Sequence, residues 1–122
     1  MHLEQLPLQK QVELVFRTMK EELAYLPSGT VFIQIRNNVV GKFGIRHNPL
    51  ELEEGTIQQS GTGLTETQIQ AFRHMAVESL KLKRWTHGEI LYDFALRGGQ
   101  LSASVSFESN YNLASLPLRF GS

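Results

Sequence analysis

The chain has 122 residues, twelve basic and twelve acidic side chains, and no cysteine. That length fits one domain able to bury roughly two-thirds of its unfolded surface without a metal or a disulfide, and the lack of cysteine excludes disulfides, thiolate zinc sites and thiol nucleophiles. A formal charge of zero argues against a dedicated nucleic-acid binder, whose affinity rests mostly on phosphate neutralisation.

No apolar run approaches the ~20 residues of a membrane span. The first residues, MHLEQLPLQKQ, lack the basic start and apolar core of a signal peptide. The expectation is a soluble cytoplasmic protein with no membrane partner.

Residues Pro7 to Leu26 predict the first helix. Leu8, Val12, Val15, Met19, Leu23 and Leu26 recur at spacings of three and four and form one apolar stripe. Pro7 suits the first helical position, where its missing N–H is not needed. Pro27, Ser28 and Gly29 stop the helix.

Thr30 to Asn37 predicts a strand with Val31, Ile33 and Ile35 on one face, and Val39 to His47 a second. A two-residue turn at Asn37-Asn38 would oppose Ile33 with Lys42. A three-residue loop from Asn37 to Val39 would instead pair Val31 with Ile45, Ile33 with Phe43 and Ile35 with Gly41. The second arrangement gives one apolar face and is the expectation. It leaves Phe32, Gln34, Arg36, Val40, Lys42 and Arg46 on the opposite face.

Asn48-Pro49 ends that strand. Leu50, Leu52 and Ile57 could make a short third strand interrupted around Glu54-Gly55, and Gly61-Thr62-Gly63 is a loop. Thr65 and Gln68 then match a capping box, and Leu64 with Ile69 the hydrophobic staple that accompanies it. The second helix carries Ile69, Phe72, Met75 or Ala76, and Leu80 on its apolar face. Lys81, Lys83 and Arg84 close it, where cations favour the negative end of the dipole.

From Trp85 to Glu108 the chain predicts one hairpin. Ile90, Tyr92, Phe94 and Leu96 alternate along one strand, and Leu101, Ala103, Val105 and Phe107 along the other. Gly98-Gly99 supplies the positive φ angles of a two-residue turn. Counting outward from Arg97 and Gln100 pairs Leu96 with Leu101, Phe94 with Ala103, Tyr92 with Val105 and Ile90 with Phe107. A slip of one residue would send one apolar set to water, so pattern and turn specify one register. The other face carries Asp93, Ser102, Ser104, Ser106 and Glu108. The tail, SNYNLASLPLRFGS, has no clear period; Leu113, Leu116, Leu118 and Phe120 suggest that it docks on the body.

The element order predicts a single α+β domain, a two-layer sandwich with an antiparallel sheet of four or five strands and two helices on one face, in the order α-β-β-(β)-α-β-β.

Chemistry-bearing residues are sparse. His2, His47, His74 and His87 do not stand at metal-ligand spacing, so no metal is expected. His74 with Glu78 reads as a surface pair. His87 with Glu89 could transfer a proton, although two residues apart at a strand end is an ordinary surface arrangement. Glu51, Glu53, Glu54 and Asp93 could form an acidic metal site or a solvated loop. Gly61-Thr62-Gly63 before a helix is similar to an anion-binding turn but lacks the lysine of a P-loop. Ser102, Ser104 and Ser106 lie in no nucleophile elbow. Lys81 to Arg84 with Trp85 could stack and neutralise a nucleic acid, against the simpler reading of a basic helix end.

The face opposite the helices is the candidate interface: Phe32, Gln34, Arg36, Lys42, Arg46, Leu91, Asp93 and Ser104. Its mix of aromatic, arginine and polar residues is what protein interfaces carry, although isolated surface apolar residues are also ordinary.

The segment RWTHGEILYDFALRGGQLSASVSFESNYN resembles the last hairpin of the YezG-like family of bacterial immunity proteins. Arg84-Trp85-Thr86 stands at its start, Gly98-Gly99 at its turn and Phe107-Glu108 at its end, and the order of elements over residues 7–108 is similar. Gln100 and Ser102 depart from the more charged character of that family. The resemblance implies neutralisation of a partner toxin by covering its active site, with no catalysis and no cofactor. Zero net charge argues against the version in which such a protein imitates an acidic nuclease substrate.

The expectation is therefore a protein-binding module with a protein partner, possible homodimerisation and no nucleic-acid partner. The alternative is a self-associating structural domain using the open face or an edge strand. An enzyme or small-ligand binder using Glu51 to Glu54 and His87 stands third.

Overall fold

In the computed structural model, residues 6–49, 52–53, 56–57, 63–82 and 87–110 are described. They form helix α1 (Leu8–Leu23), strands β1 (Ser28–Arg36) and β2 (Val39–Arg46), two short strands β3 (Leu52–Glu53) and β4 (Thr56–Ile57), helix α2 (Glu66–Ser79), and strands β5 (His87–Arg97) and β6 (Gln100–Ser109). The main sheet has the order β2-β1-β5-β6 and is antiparallel throughout. The short strands β3 and β4 pair with each other as a sheet of their own, so among the described residues the main sheet has four strands rather than five. Both helices lie on one face, giving the α+β two-layer sandwich that the element order predicts. Among the described residues no helix is long and apolar enough to cross a membrane.

Helix α1 begins one residue later than expected. Pro7 has extended backbone angles (φ −57°, ψ 148°) and is the N-cap, not the first helical residue. Its carbonyl accepts from Lys10 and Gln11, and so opens the helix. Leu26 falls beyond the helix end but packs on the core. Val12, Val15, Met19 and Leu23 are buried as the stripe predicts, and Phe16 and Gln11 are buried beside them.

Helix α2 opens as its sequence predicts. Thr65 Oγ1 accepts from the Gln68 N–H at 3.2 Å, and Gln68 Oε1 accepts from the Thr65 N–H at 3.0 Å. Leu64 and Ile69 are both buried. Ala76 faces the core while Met75 is 41% exposed, which decides between the two. The basic cluster does not sit in the last helical turn: Lys81 follows the C-cap Leu80 and pairs with Glu78 at 3.1 Å. Residues 83–86 lie outside the described residues.

The β1–β2 connection corrects the expected loop. Asn37 and Asn38 both have positive φ (52° and 62°), and form a two-residue turn that pairs Arg36 with Val39 and Ile35 with Val40. Beyond it the pairing shifts, with Ile33 opposite Phe43 and Val31 opposite Ile45. Strand β2 advances three residues where β1 advances two, which is a β-bulge at Gly41-Lys42. The extra residue puts both Val40 and Phe43 on the helix-covered side. Val40 is therefore core, 5% exposed, and not on the open face.

The β5–β6 hairpin adopts the predicted register throughout, from Arg97 opposite Gln100 to Ile90 opposite Phe107. Gly98 (φ 58°) and Gly99 (φ 79°) make its turn, in a region that residues with a Cβ enter at a cost. Tyr92 and Phe94 meet Phe16 and Phe72 from the helices, with Phe16 and Phe72 edge to face at 5.0 Å and Phe72 and Phe94 tilted at 5.2 Å. Burying one such ring contributes about 2–3 kcal/mol. The Tyr92 hydroxyl stays satisfied in this apolar layer by Ser79 Oγ (2.8 Å) and the Ala76 carbonyl (3.3 Å).

Candidate functional site

The pairing places the outward side chains of the sheet in rows. One row runs Arg46, Thr30, Asp93, Ser104. The next runs Gly44, Phe32, Leu91, Ser106, and the third Gln34, Glu89, Glu108. Arg36 stands opposite His87 at the end of β1. Gln34, Arg36, Lys42, Arg46, Asp93 and Ser104 are exposed, and Phe32 and Leu91 are half-buried neighbours at the centre. Lys42 sits on the bulge opposite Gln34. The register thus brings the eight interface candidates onto one surface.

The centre of that surface is built around a glycine. The ring of Phe32 lies over Gly44, so closely that a Cβ there would stand 2.9 Å from the ring carbon Cζ. The Arg46 guanidinium covers Phe32 at 5.6 Å from the ring centroid. It also reaches Glu89 at 3.6 Å across the intervening strand. The other Glu89 oxygen accepts from Gln34 Nε2 at 3.0 Å. Glu89 is the one carboxylate of this face that is buried, at 8% exposed. Thr30 Oγ1 donates to Asp93 Oδ1 at 2.5 Å.

Charge is divided across the face. The cations Arg36, Lys42 and Arg46 stand on β1 and β2, whereas Glu89, Asp93 and Glu108 stand on β5 and β6 beside the serines, with one further cation, Arg97, at the turn end of β5. A formal charge of zero therefore conceals a polarised surface.

The catalytic alternatives meet a different outcome. Both Glu89 oxygens are engaged by Gln34 and Arg46, so that carboxylate acts as a clamp between strands. Glu78 pairs with Lys81 instead of His74. His47 pairs with Glu22 of α1 at 3.0 Å, a contact with no signal in the sequence. Among the described residues no three His, Asp or Glu side chains converge as a metal site. The side chains of Glu51, Glu53 and Glu54, together with His2, Trp85 and residues 111–122, lie outside the described residues. Gly63 has a packing role: the N–H of Leu64 donates to the Leu23 carbonyl at 3.1 Å, and a Cβ on Gly63 would fall 2.6 Å from the Ala24 carbonyl oxygen.

One concave feature escaped the sequence reading. An open cleft of about 140 Å³ lies between the helices, floored by Phe16 and Ile69 and rimmed by Arg17, Lys20, Glu66, Gln70 and Arg73. Lys20 and Glu66 bridge it at 3.2 Å. Its only sequence signal is a pair of polar helix faces, which most surface helices share.

Comparison with protein-family models, with curated proteins and with solved structures gives no match for this chain.

Proposed function

We propose that this chain is a small protein-binding module that acts through the open face of its sheet. The observation that carries the reading is the polarised surface around Phe32 and Leu91, with Arg36, Lys42 and Arg46 on β1–β2 and Glu89, Asp93 and Glu108 on β5–β6. Arginine and aromatic residues at the middle of a flat polar patch are the composition of binding interfaces. The occupant that fits is a second protein with carboxylates where it meets Arg36 and Lys42. Complementary charge of this kind sets orientation and encounter rate more than raw affinity.

In its specific form the reading is immunity-like: the partner is a toxin, and the module neutralises it by covering its active site without catalysing a reaction. The setting is the bacterial cytoplasm. The engagement of both Glu89 oxygens within the face supports binding over proton transfer.

The test is the native mass of the tagged chain recovered from its host, with every stoichiometric component identified. A second protein with toxic activity, lost from the complex when Arg36→Glu and Lys42→Glu are introduced, is the expected result. Both side chains are exposed, so the variants should fold. A partner retained at full strength by the doubly reversed chain would place the contact elsewhere and sink the proposal.

A further inference from the structure

The two edges of the main sheet are unlike. Edge strand β2 carries a bulge, two glycines and the exposed cations Lys42 and Arg46. Those are the devices by which natural sheets prevent another strand from adding to an edge. Edge strand β6 has none of them. Its ten residues pair with β5 without a register shift. From Gln100 to Phe107 it has no charged residue, no proline and no glycine.

The hairpin turn determines which backbone groups β6 directs outward. A two-residue turn makes Arg97 and Gln100 a hydrogen-bonded pair, and such pairs alternate along an antiparallel ladder. Ser102, Ser104 and Ser106 therefore direct their N–H and C=O toward β5. Leu101, Ala103 and Val105 direct theirs away from the sheet. The side chains of these three residues are also only half covered by the helices, whereas Ile90, Tyr92 and Phe94 on β5 are at most 3% exposed. Backbone and side chains of Leu101, Ala103 and Val105 are thus both incompletely used within the described residues.

We infer that β6 pairs with β6 of a second copy of this chain, antiparallel and centred on Ala103, joining two four-stranded sheets into one. In this register Ala103 faces its own mate, and Leu101 faces Val105 of the second copy, so every outward N–H and C=O of these three residues gains a partner. The half-buried Leu101 and Val105 gain apolar neighbours. On the other face Ser102 stands opposite Ser104 of the second copy, a hydroxyl pair that suits adjacent strands. No like charges meet along the contact, since the charged Glu108 falls opposite Gly98, beyond the paired residues. A two-fold arrangement of this kind closes on itself and stops at a dimer, and the bulged, cationic β2 edges at its ends resist further growth. The inference is independent of what binds the open face, and it would give that face two copies on one continuous sheet.

The chain has no cysteine, so a register-specific crosslink can test this directly. Full-length Ser102→Cys and Ser104→Cys chains are mixed under mild oxidation. The two sulfurs would lie on a non-hydrogen-bonded pair with Cα atoms about 4.5 Å apart, within disulfide reach. In either variant alone the same cysteines would sit diagonally, about 7–8 Å apart or farther. The expected result is a species at twice 13.8 kDa in the mixture and little in either variant alone. Ala103→Pro, which loses only an outward N–H, is expected to reduce the sedimentation mass from twice 13.8 kDa to 13.8 kDa with an unchanged circular dichroism spectrum. A full-length chain that sediments at 13.8 kDa at every accessible concentration overturns the inference, as does a mixture that crosslinks no better than its components. Residues 111–122 or a foreign peptide as the true occupant of this edge would produce that same monomer.

Discussion

The side-chain amide of Gln11 on α1 is joined to the backbone of Val40 on β2: its Oε1 accepts from the Val40 N–H at 2.7 Å. Its Nε2 donates to the carbonyls of Asn38 (3.1 Å) and Leu6 (3.0 Å). Gln11 is 1% exposed, and its bond to Val40 is buried, whereas the two carbonyls it meets are part-exposed. A turn followed closely by a bulge interrupts the ordinary strand ladder, and one helix side chain supplies partners to the backbone there. Gln11→Leu keeps the volume and removes the bonds, leaving the buried Val40 N–H without a partner. The expected loss is about 2 kcal/mol of unfolding free energy by urea denaturation. A loss within experimental error of zero would mean that water replaces the amide.

Gly63 and Gly41 form a matched pair for testing close packing. A Cβ on Gly63 would lie 2.3 Å from the Leu26 nitrogen and 2.6 Å from the Ala24 carbonyl oxygen, both backbone atoms that cannot rotate aside. A Cβ on Gly41 would meet nothing nearer than 3.9 Å. Gly63→Ala is expected to cost about 2 kcal/mol or more by separating α2 from the end of α1. Gly41→Ala is expected to be neutral or mildly stabilising, because it restricts the unfolded chain. Equal denaturation midpoints for the two variants would refute this account of Gly63.

Tyr92 gives the fold a dependence on alkaline pH. Burial pushes its hydroxyl up from 10.0 to about 12, opposed in part by the hydrogen bond with Ser79. The unfolded chain releases this proton near the ordinary value while the folded chain retains it. The contribution is therefore complete below about pH 10 and is lost as pH rises toward 12. Two pH units correspond to about 3 kcal/mol. In denaturant titrations between pH 9 and 12, Tyr92→Phe should flatten this part of the slope.

The packing of Phe32 on Gly44 predicts a strong coupling between them. Alone, Gly44→Ala must displace the ring and with it the Arg46 stack, at about 1 kcal/mol. In a Phe32→Ala background the same substitution should cost nothing or stabilise, since alanine suits a strand better than glycine. Additive effects across this double-mutant cycle would show that the ring does not depend on the bare glycine.

The hairpin was legible because two independent signals agreed. Its alternation and its Gly98-Gly99 turn each specify a register, and the two registers coincide. The capping box at Thr65 was legible because it is local, requiring only residues three apart. The β1–β2 register was not legible to the same degree. The Asn37-Asn38 signal indicated a two-residue turn, while the apolar pattern farther along indicated the offset of a three-residue loop. Both hold at once because a bulge lies between them, and alternation cannot report a bulge that occurs where glycine and lysine interrupt the pattern. The same gap concealed Val40 in the core and gave no reason to expect Gln11 there.

On the open face, period-two alternation was enough to assign Phe32, Leu91 and their polar neighbours to one surface, since a strand side chain can point to only two sides. It could not distinguish Glu89, a buried clamp, from Asp93, an exposed carboxylate two residues on. That difference arises from Gln34 on β1 and Arg46 on β2, which reach Glu89 only because β1 separates β2 from β5 in the sheet.

The sequence by itself determined what depends on neighbours along the chain: two amphipathic helices, the capping box at Thr65, the Gly98-Gly99 turn and the face of each residue on β1, β5 and β6. The order β2-β1-β5-β6, the bulge, the Gln11 bonds and the contrast between a bulged β2 edge and a regular β6 edge were decided only by tertiary structure. Local preferences act over a few residues, whereas the Gln11–Val40 bond joins residues 29 apart and the β1–β5 pairing joins residues up to 67 apart (Ser28 with Ala95). Their stability comes from burial and hydrogen bonds that exist only once the layers have closed.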